Sequence, residues 1–139
     1  MMKFKITMLI LLSANLLMAQ DQDNIEIETV ITNYIQSFFL NDYTKMDKSL
    51  HERLSKRGMD NKGVLSEDYS KNDLKVLMGN KKPLPLSQQS NRVSGIFIDR
   101  NFATAILDTG YPSTRWKEYI HLAKIDGVWI IMDVFWNFE

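Results

Sequence analysis

Apolar positions near the start of the chain recur at helical spacing. Ile27, Val30, Ile31, Tyr34, Ile35, Phe38 and Phe39 fall three and four residues apart, which places them on one face of a helix. Asp23 or Asn24 suits the capping position of that helix, and Glu26 and Glu28 suit the positive end of its dipole. Asn41-Asp42 ends the pattern. A shorter helix follows, with Tyr43, Met46 and Leu50 on one side, and so short a link predicts a helical hairpin. From His51 to Tyr69 the periodicity weakens, with Gly58 and Gly63 as breakers. This segment reads as a loop, with at most a short extended piece around Val64-Leu65. Ser70 and Asp73 then form a capping box ahead of Leu74, Val76, Leu77 and Met78, and Gly79-Asn80 closes a third helix.

Residues 81–90, which hold Pro83 and Pro85, read as a crossing loop. Beyond Asn91 the pattern turns strand-like. Residues 93–98 and 102–109 flank the turn Asp99-Arg100-Asn101, and Pro112 marks a second connection. Residues 115–124 and 128–138 flank Asp126-Gly127, a strong hairpin signal. Three N-terminal helices on a curved, four-stranded antiparallel sheet give an α+β domain.

The last hairpin can be registered outward from its turn. Ile125 faces Val128, Leu122 faces Ile131, Ile120 faces Asp133 and Glu118 faces Phe135. Strict alternation then puts Trp116, Glu118, Ile120, Leu122, Trp129, Ile131, Asp133 and Phe135 on one face. The other face carries Tyr119, His121, Met132, Val134 and Trp136, which is too apolar for solvent and predicts a homodimer through it.

The stretch Ser49-Leu50-His51-Glu52-Arg53-Leu54-Ser55-Lys56-Arg57 resembles the segment after the second helix in the putative lumazine-binding family. The run from Trp116 to Lys124, with Asp126-Gly127-Val128-Trp129 and Val134-Phe135-Trp136, is similar to that family's closing hairpin. Glu52 stands where the family has proline, Lys117 where it has an apolar residue, and Asp133 where it has asparagine. The resemblance implies the nuclear-transport-factor-2-like fold, a cone of helices around a curved sheet, often dimeric through its outer face. That fold hosts isomerases, dehydratases, cyclases and binding modules alike, so activity has to be argued from the site.

Composition changes this picture at the N-terminus. Lys3 and Lys5 precede a mostly apolar run from Ile6 to Leu17, and Ala19 precedes Gln20. That is the pattern of a cleaved secretory signal, residues 1–19, ahead of a domain at residues 20–139. A secreted or periplasmic protein with no membrane association after cleavage is expected. The 17 basic and 17 acidic residues balance, so charge points to no nucleic-acid partner. The pairs Lys56-Arg57 and Lys81-Lys82 read as solvated. The chain has no cysteine, which excludes thiolate nucleophiles and cysteine metal sites. His51 and His121 fall on different parts of the fold, so no metal is expected. There is no glycine-rich phosphate loop or Gly-x-Ser-x-Gly elbow, and no cofactor is expected.

Chemistry therefore falls to a few side chains. Glu118 and Asp133, on one predicted face among Trp116, Trp129 and Phe135, are candidates for a carboxylate pair whose mutual repulsion tunes a general acid or base. His51 is a further candidate acid, base or donor at a pocket mouth, and Tyr34 and Phe38 complete the expected ligand wall. An exported module that binds a small ligand or a protein is the first reading. A cofactor-free isomerase or dehydratase using Asp133 or Glu118 is the second. A dimeric structural module with no open pocket is the third.

Overall fold

The computed structural model describes the backbone of residues 2–139 and the side chains of residues 13–139. The elements run α1 (Met2–Leu40), α2 (Tyr43–Asp47), β1 (Leu50–Met59), α3 (Lys71–Gly79), β2 (Arg92–Asp99), β3 (Phe102–Tyr111), β4 (Thr114–Ile125) and β5 (Val128–Phe138). A short 3₁₀ turn, Leu86–Gln88, interrupts the loop before β2. Ser70 and Asp73 form the expected capping box on α3.

The α+β architecture is present, but the sheet is mixed and has five strands in the order β1-β5-β4-β3-β2. The segment expected to be a loop supplies β1, which pairs parallel to β5. Its inward positions are Leu54, Lys56 and Gly58. A lysine and a glycine thus stand where alternating apolar residues would have announced a strand. Leu65 and Tyr69 then fold back as single bridges to Met59 and Lys56.

The predicted apolar face of α1 is the buried one: Ile27, Ile31, Tyr34 and Ile35 have no exposed surface. They cover the inner side of the sheet at Ala105, Leu107, Ile120, Leu122 and Val134. The helix does not start at Asp23 or Asn24. It runs through them, and residues 13–22 are all exposed. The side chains of Lys3, Lys5 and the apolar run up to Leu12 lie outside the described residues.

Asp23 acts as a clamp, not a cap. One carboxylate oxygen accepts from Lys124 Nζ at 2.7 Å and from Trp129 Nε1 at 2.9 Å, joining the helix to the closing hairpin. Burial opposes charge on this carboxyl, but the hydrogen bonds from Lys124 and Trp129 outweigh it and hold the group below its ordinary value of 3.8.

The closing hairpin turns at Asp126 (φ 51°) and Gly127 (φ 79°), the two positive φ angles that a type I′ turn requires. Its register starts as expected, with Ile125 opposite Val128 and Leu122 opposite Ile131. It then slips by one residue: His121 faces Asp133, Ile120 faces Val134 and Glu118 faces Trp136. Met132 is the extra residue of a β-bulge, and one extra residue reverses which face every later side chain takes. The expected pairings of Ile120 with Asp133 and of Glu118 with Phe135 are therefore replaced. The expected outer face is split as well. Tyr119 and His121 remain exposed, Met132 is half-buried at the bulge, Val134 is fully buried in the core, and Trp136 turns inward.

Asp23→Ala leaves the indole N–H of buried Trp129 without an acceptor. The expected cost is about 1–3 kcal/mol, the usual penalty for an orphaned buried donor. A carboxyl with a depressed folded pKa stabilises above its unfolded value and stops doing so as pH falls through the folded one. Thermal melts should therefore show a parent–variant gap at neutral pH that narrows as pH falls below 3.8 and keeps the part owed to the Trp129 N–H, which a protonated carboxyl still accepts. A gap unchanged between neutral and acid pH would show that the clamp is not ionic.

Candidate functional site

The bulge sets rows of inward side chains across the sheet. Gly58, Trp136, Glu118 and Leu107 form one row, and Lys56, Val134, Ile120 and Ala105 form the next. Glu118 is fully buried. Its Oε1 accepts from Lys56 Nζ at 2.5 Å and from Trp116 Nε1 at 3.0 Å, while its Oε2 accepts from the Tyr34 hydroxyl at 2.9 Å. Lys56 Nζ also donates to the Tyr34 oxygen at 2.6 Å, closing a triangle of hydrogen bonds. Burial first, and then the charge of Glu118, push the Tyr34 hydroxyl well above its ordinary value of 10.0. It stays protonated and serves as a donor.

Over this triangle opens a cleft of about 270 Å³, near the lower end of the size range of ligand pockets. Phe38, Tyr69, Tyr111, Trp116, Trp136 and Phe138 contribute its aromatic walls, Leu74 and Leu77 of α3 close one side, and Lys56 and Lys81 supply its two cations. The rings brace one another: Tyr111 lies 5.9 Å from Trp116, and Phe138 lies 6.2 Å from Trp116 and 5.1 Å from Trp136. The Trp136 ring lies against Gly58 so closely that a Cβ there would sit 2.0 Å from it. A glycine is what lets this wall stand where it does.

Tyr34, Phe38, Trp116 and Glu118, singled out from the sequence, do come together here. Asp133 does not. The bulge turns it to the outer face, 3.5 Å from His121 Nδ1, so the expected pair of Glu118 with Asp133 does not form. His51 lies in β1, not at a helix end, and its Nδ1 accepts from the Arg53 amide at 3.1 Å, away from the cleft. Lys56 and Lys81, read as solvated, are both in the cleft wall. The one local signal for Lys56 is that it alternates with Leu54 and Gly58, a signal too short to outweigh the breakers around it. Among the described residues no group of three or more histidine, aspartate or glutamate side chains gathers as a metal requires.

The chemistry of the triangle follows from donor counting. Glu118 receives three hydrogen bonds, one of them from an ammonium group, which fill three of the roughly four acceptor positions of its oxygens. Lys56, which lines the cleft, uses two of its three N–H groups in the triangle and has one to spare.

The family model for putative lumazine-binding proteins matches residues 22–137. The chain belongs to this family. Three solved structures of nuclear-transport-factor-2-like proteins of unknown function share its fold. One from Shewanella baltica is 22% identical with a TM-score of 0.74, covering 85% of this chain and 94% of that one. One from Silicibacter pomeroyi is 11% identical with a TM-score of 0.77, covering 86% and 98%. One from Methylobacillus flagellatus is 18% identical with a TM-score of 0.73, covering 85% and 93%. No curated protein matches the sequence. At these identities the likeness establishes the nuclear-transport-factor-2-like fold and no activity.

Removing one partner of the buried pair should destabilise strongly. Lys56→Met and Glu118→Gln are each expected to cost about 3–5 kcal/mol in urea unfolding at neutral pH, because each leaves a buried charged partner uncompensated. The double variant should cost clearly less than the sum of the two. Additive losses would show that the two groups do not interact energetically.

Proposed function

We propose that this member of the putative lumazine-binding family is an exported binding module that takes a small, flat, partly apolar ligand in the cleft over Lys56 and Glu118. The observation that carries this reading is an aromatic-walled cleft of about 270 Å³ set over a buried carboxylate, Glu118, that three donors already hold. Aromatic walls with a few fixed polar groups are the usual make-up of a small-molecule pocket. Asp133, the second carboxylate an acid–base mechanism would use, faces the outer surface beside His121. Binding is therefore favoured over proton transfer. The family's description adds a chemical direction, since lumazine is a flat heteroaromatic compound.

Tryptophan fluorescence tests the cleft directly. Titration with lumazine and a panel of one- and two-ring heteroaromatic compounds should give saturable quenching with a Kd below about 1 mM, roughly 4 kcal/mol of binding. Leu77→Trp, which fills the cleft from α3, should weaken the best binder by about tenfold or more. If no compound in the panel saturates, the aromatic walls are packing and the binding reading fails.

Export is supported by Lys3, Lys5 and the apolar run to Leu17, followed by a domain in which Ile27 is the first buried residue among the described side chains. Leu16, Leu17 and Met18 are about two-thirds or more exposed (67%, 64% and 72%), so among the described residues cleavage near Gln20 removes nothing from the core. N-terminal sequencing of the protein from its host should find a start near Gln20 outside the cytoplasm. Met1 on a soluble cytoplasmic product would overturn the export claim.

A further inference from the structure

We propose that the cleft selects a ligand carrying a negative charge, a flat aromatic carboxylate, and that Lys81 at the rim is the residue that reads the charge. The inference rests on the binding reading and adds a ligand class to it. Both charged side chains in the cleft wall are cations, and no carboxylate lines it. Lys56 is neutralised by Glu118. Lys81 is not. The other partly buried lysines each have a carboxylate partner among the described residues: Lys71 pairs with Asp47 and Glu52, Lys117 with Asp108 and Glu139, and Lys124 with Asp23. Lys81 alone among them has no ion pair, and its ammonium donates no hydrogen bond within the described residues.

Its position is nonetheless fixed. Asn41 Nδ2 donates to the Lys81 carbonyl at 2.5 Å, and the Lys81 amide donates to the Met78 carbonyl at 3.1 Å. The ammonium rests 5.1 Å from the centre of the Phe38 ring and 5.6 Å from that of Tyr111. Ring faces hold a cation without using its N–H donors, so three donors remain for an anion at the rim. An unbalanced positive charge beside low-dielectric aromatic walls attracts an anion more strongly than a solvated lysine does. A carboxylate at Lys81 would leave the flat part of the ligand among Phe38, Tyr111 and Trp116, within reach of the spare N–H of Lys56.

Calorimetric titration of the full-length chain with naphthoate and with naphthamide, which share a ring system and differ in charge, tests the idea. The parent should bind naphthoate about tenfold tighter than naphthamide, the scale of one hydrogen bond to a charged group. The ratio should approach one in Lys81→Met and persist in Lys81→Arg. Added salt should narrow it in the parent. Equal affinities in the parent, or a ratio that survives Lys81→Met, would overturn the anion inference while naphthamide binding upheld the cleft as a site. Failure of both probes to bind would overturn the inference together with the binding reading.

Discussion

A single extra residue, Met132, decides what the last strand presents to the interior. It falls between paired positions in both the β4–β5 and the β1–β5 ladders, at the point where each register shifts. Before it, Trp129 and Ile131 point inward; after it, Val134, Trp136 and Phe138 do. Without the bulge, period-two alternation would send Asp133 and Phe135 inward and Trp136 to the outer face. The aromatic wall of the cleft, the burial of Val134 against α1 and the exposure of Asp133 all follow from this one insertion. Bulges commonly re-aim side chains next to functional sites, and this one does so for half of a strand.

The ion pair of Lys56 with Glu118 depends on the same geometry, because β1 reaches Glu118 only across β5. Such a pair is a poor source of net stability, since removing two charges from water costs about as much as their attraction returns. Its consequence is positional. Tyr34 from α1, Lys56 from β1, and Trp116 and Glu118 from β4 are held in one hydrogen-bonded unit, tying the long helix to two strands at the floor of the cleft. Gly58 contributes from the neighbouring row by having no side chain, so the Trp136 ring can lie flat against the backbone. The result is a rigid floor of satisfied polar groups under an apolar space, an arrangement suited to holding a ligand in one orientation.

The outer face follows a different logic. Phe97 and Phe102 are 64% and 47% exposed there, beside Tyr119 and His121, while Asp133 faces His121 across the strand pair. The carboxylate that seemed destined for an active-site pair is thus part of a mixed polar and aromatic surface, separated from Glu118 by the thickness of the sheet.

What the sequence determined by itself was set by neighbours a few residues apart. The buried stripe of α1 follows from three- and four-residue spacing, the start of α3 from the Ser70–Asp73 box, and the two hairpins from turns that need positive φ. That Glu118 would sit among apolar and aromatic side chains was legible because a carboxylate in an apolar alternation has to find partners, and Tyr34 and Trp116 are two of them. Tertiary structure alone decided the rest. Leu54, Lys56 and Gly58 lie in a strand only because β5, from the far end of the chain, pairs alongside it, while Tyr69 and Ser66 take up the backbone of Lys56 and Gly58 on the other side. The bulge at Met132 is invisible in a run apolar on both sides of it. Lys56 and Lys81 look like solvated surface charges until the fold brings Glu118 to one and leaves the other among rings without an anion. Local patterns report the period of an element, whereas partners distant in sequence are chosen by packing and charge in the folded chain.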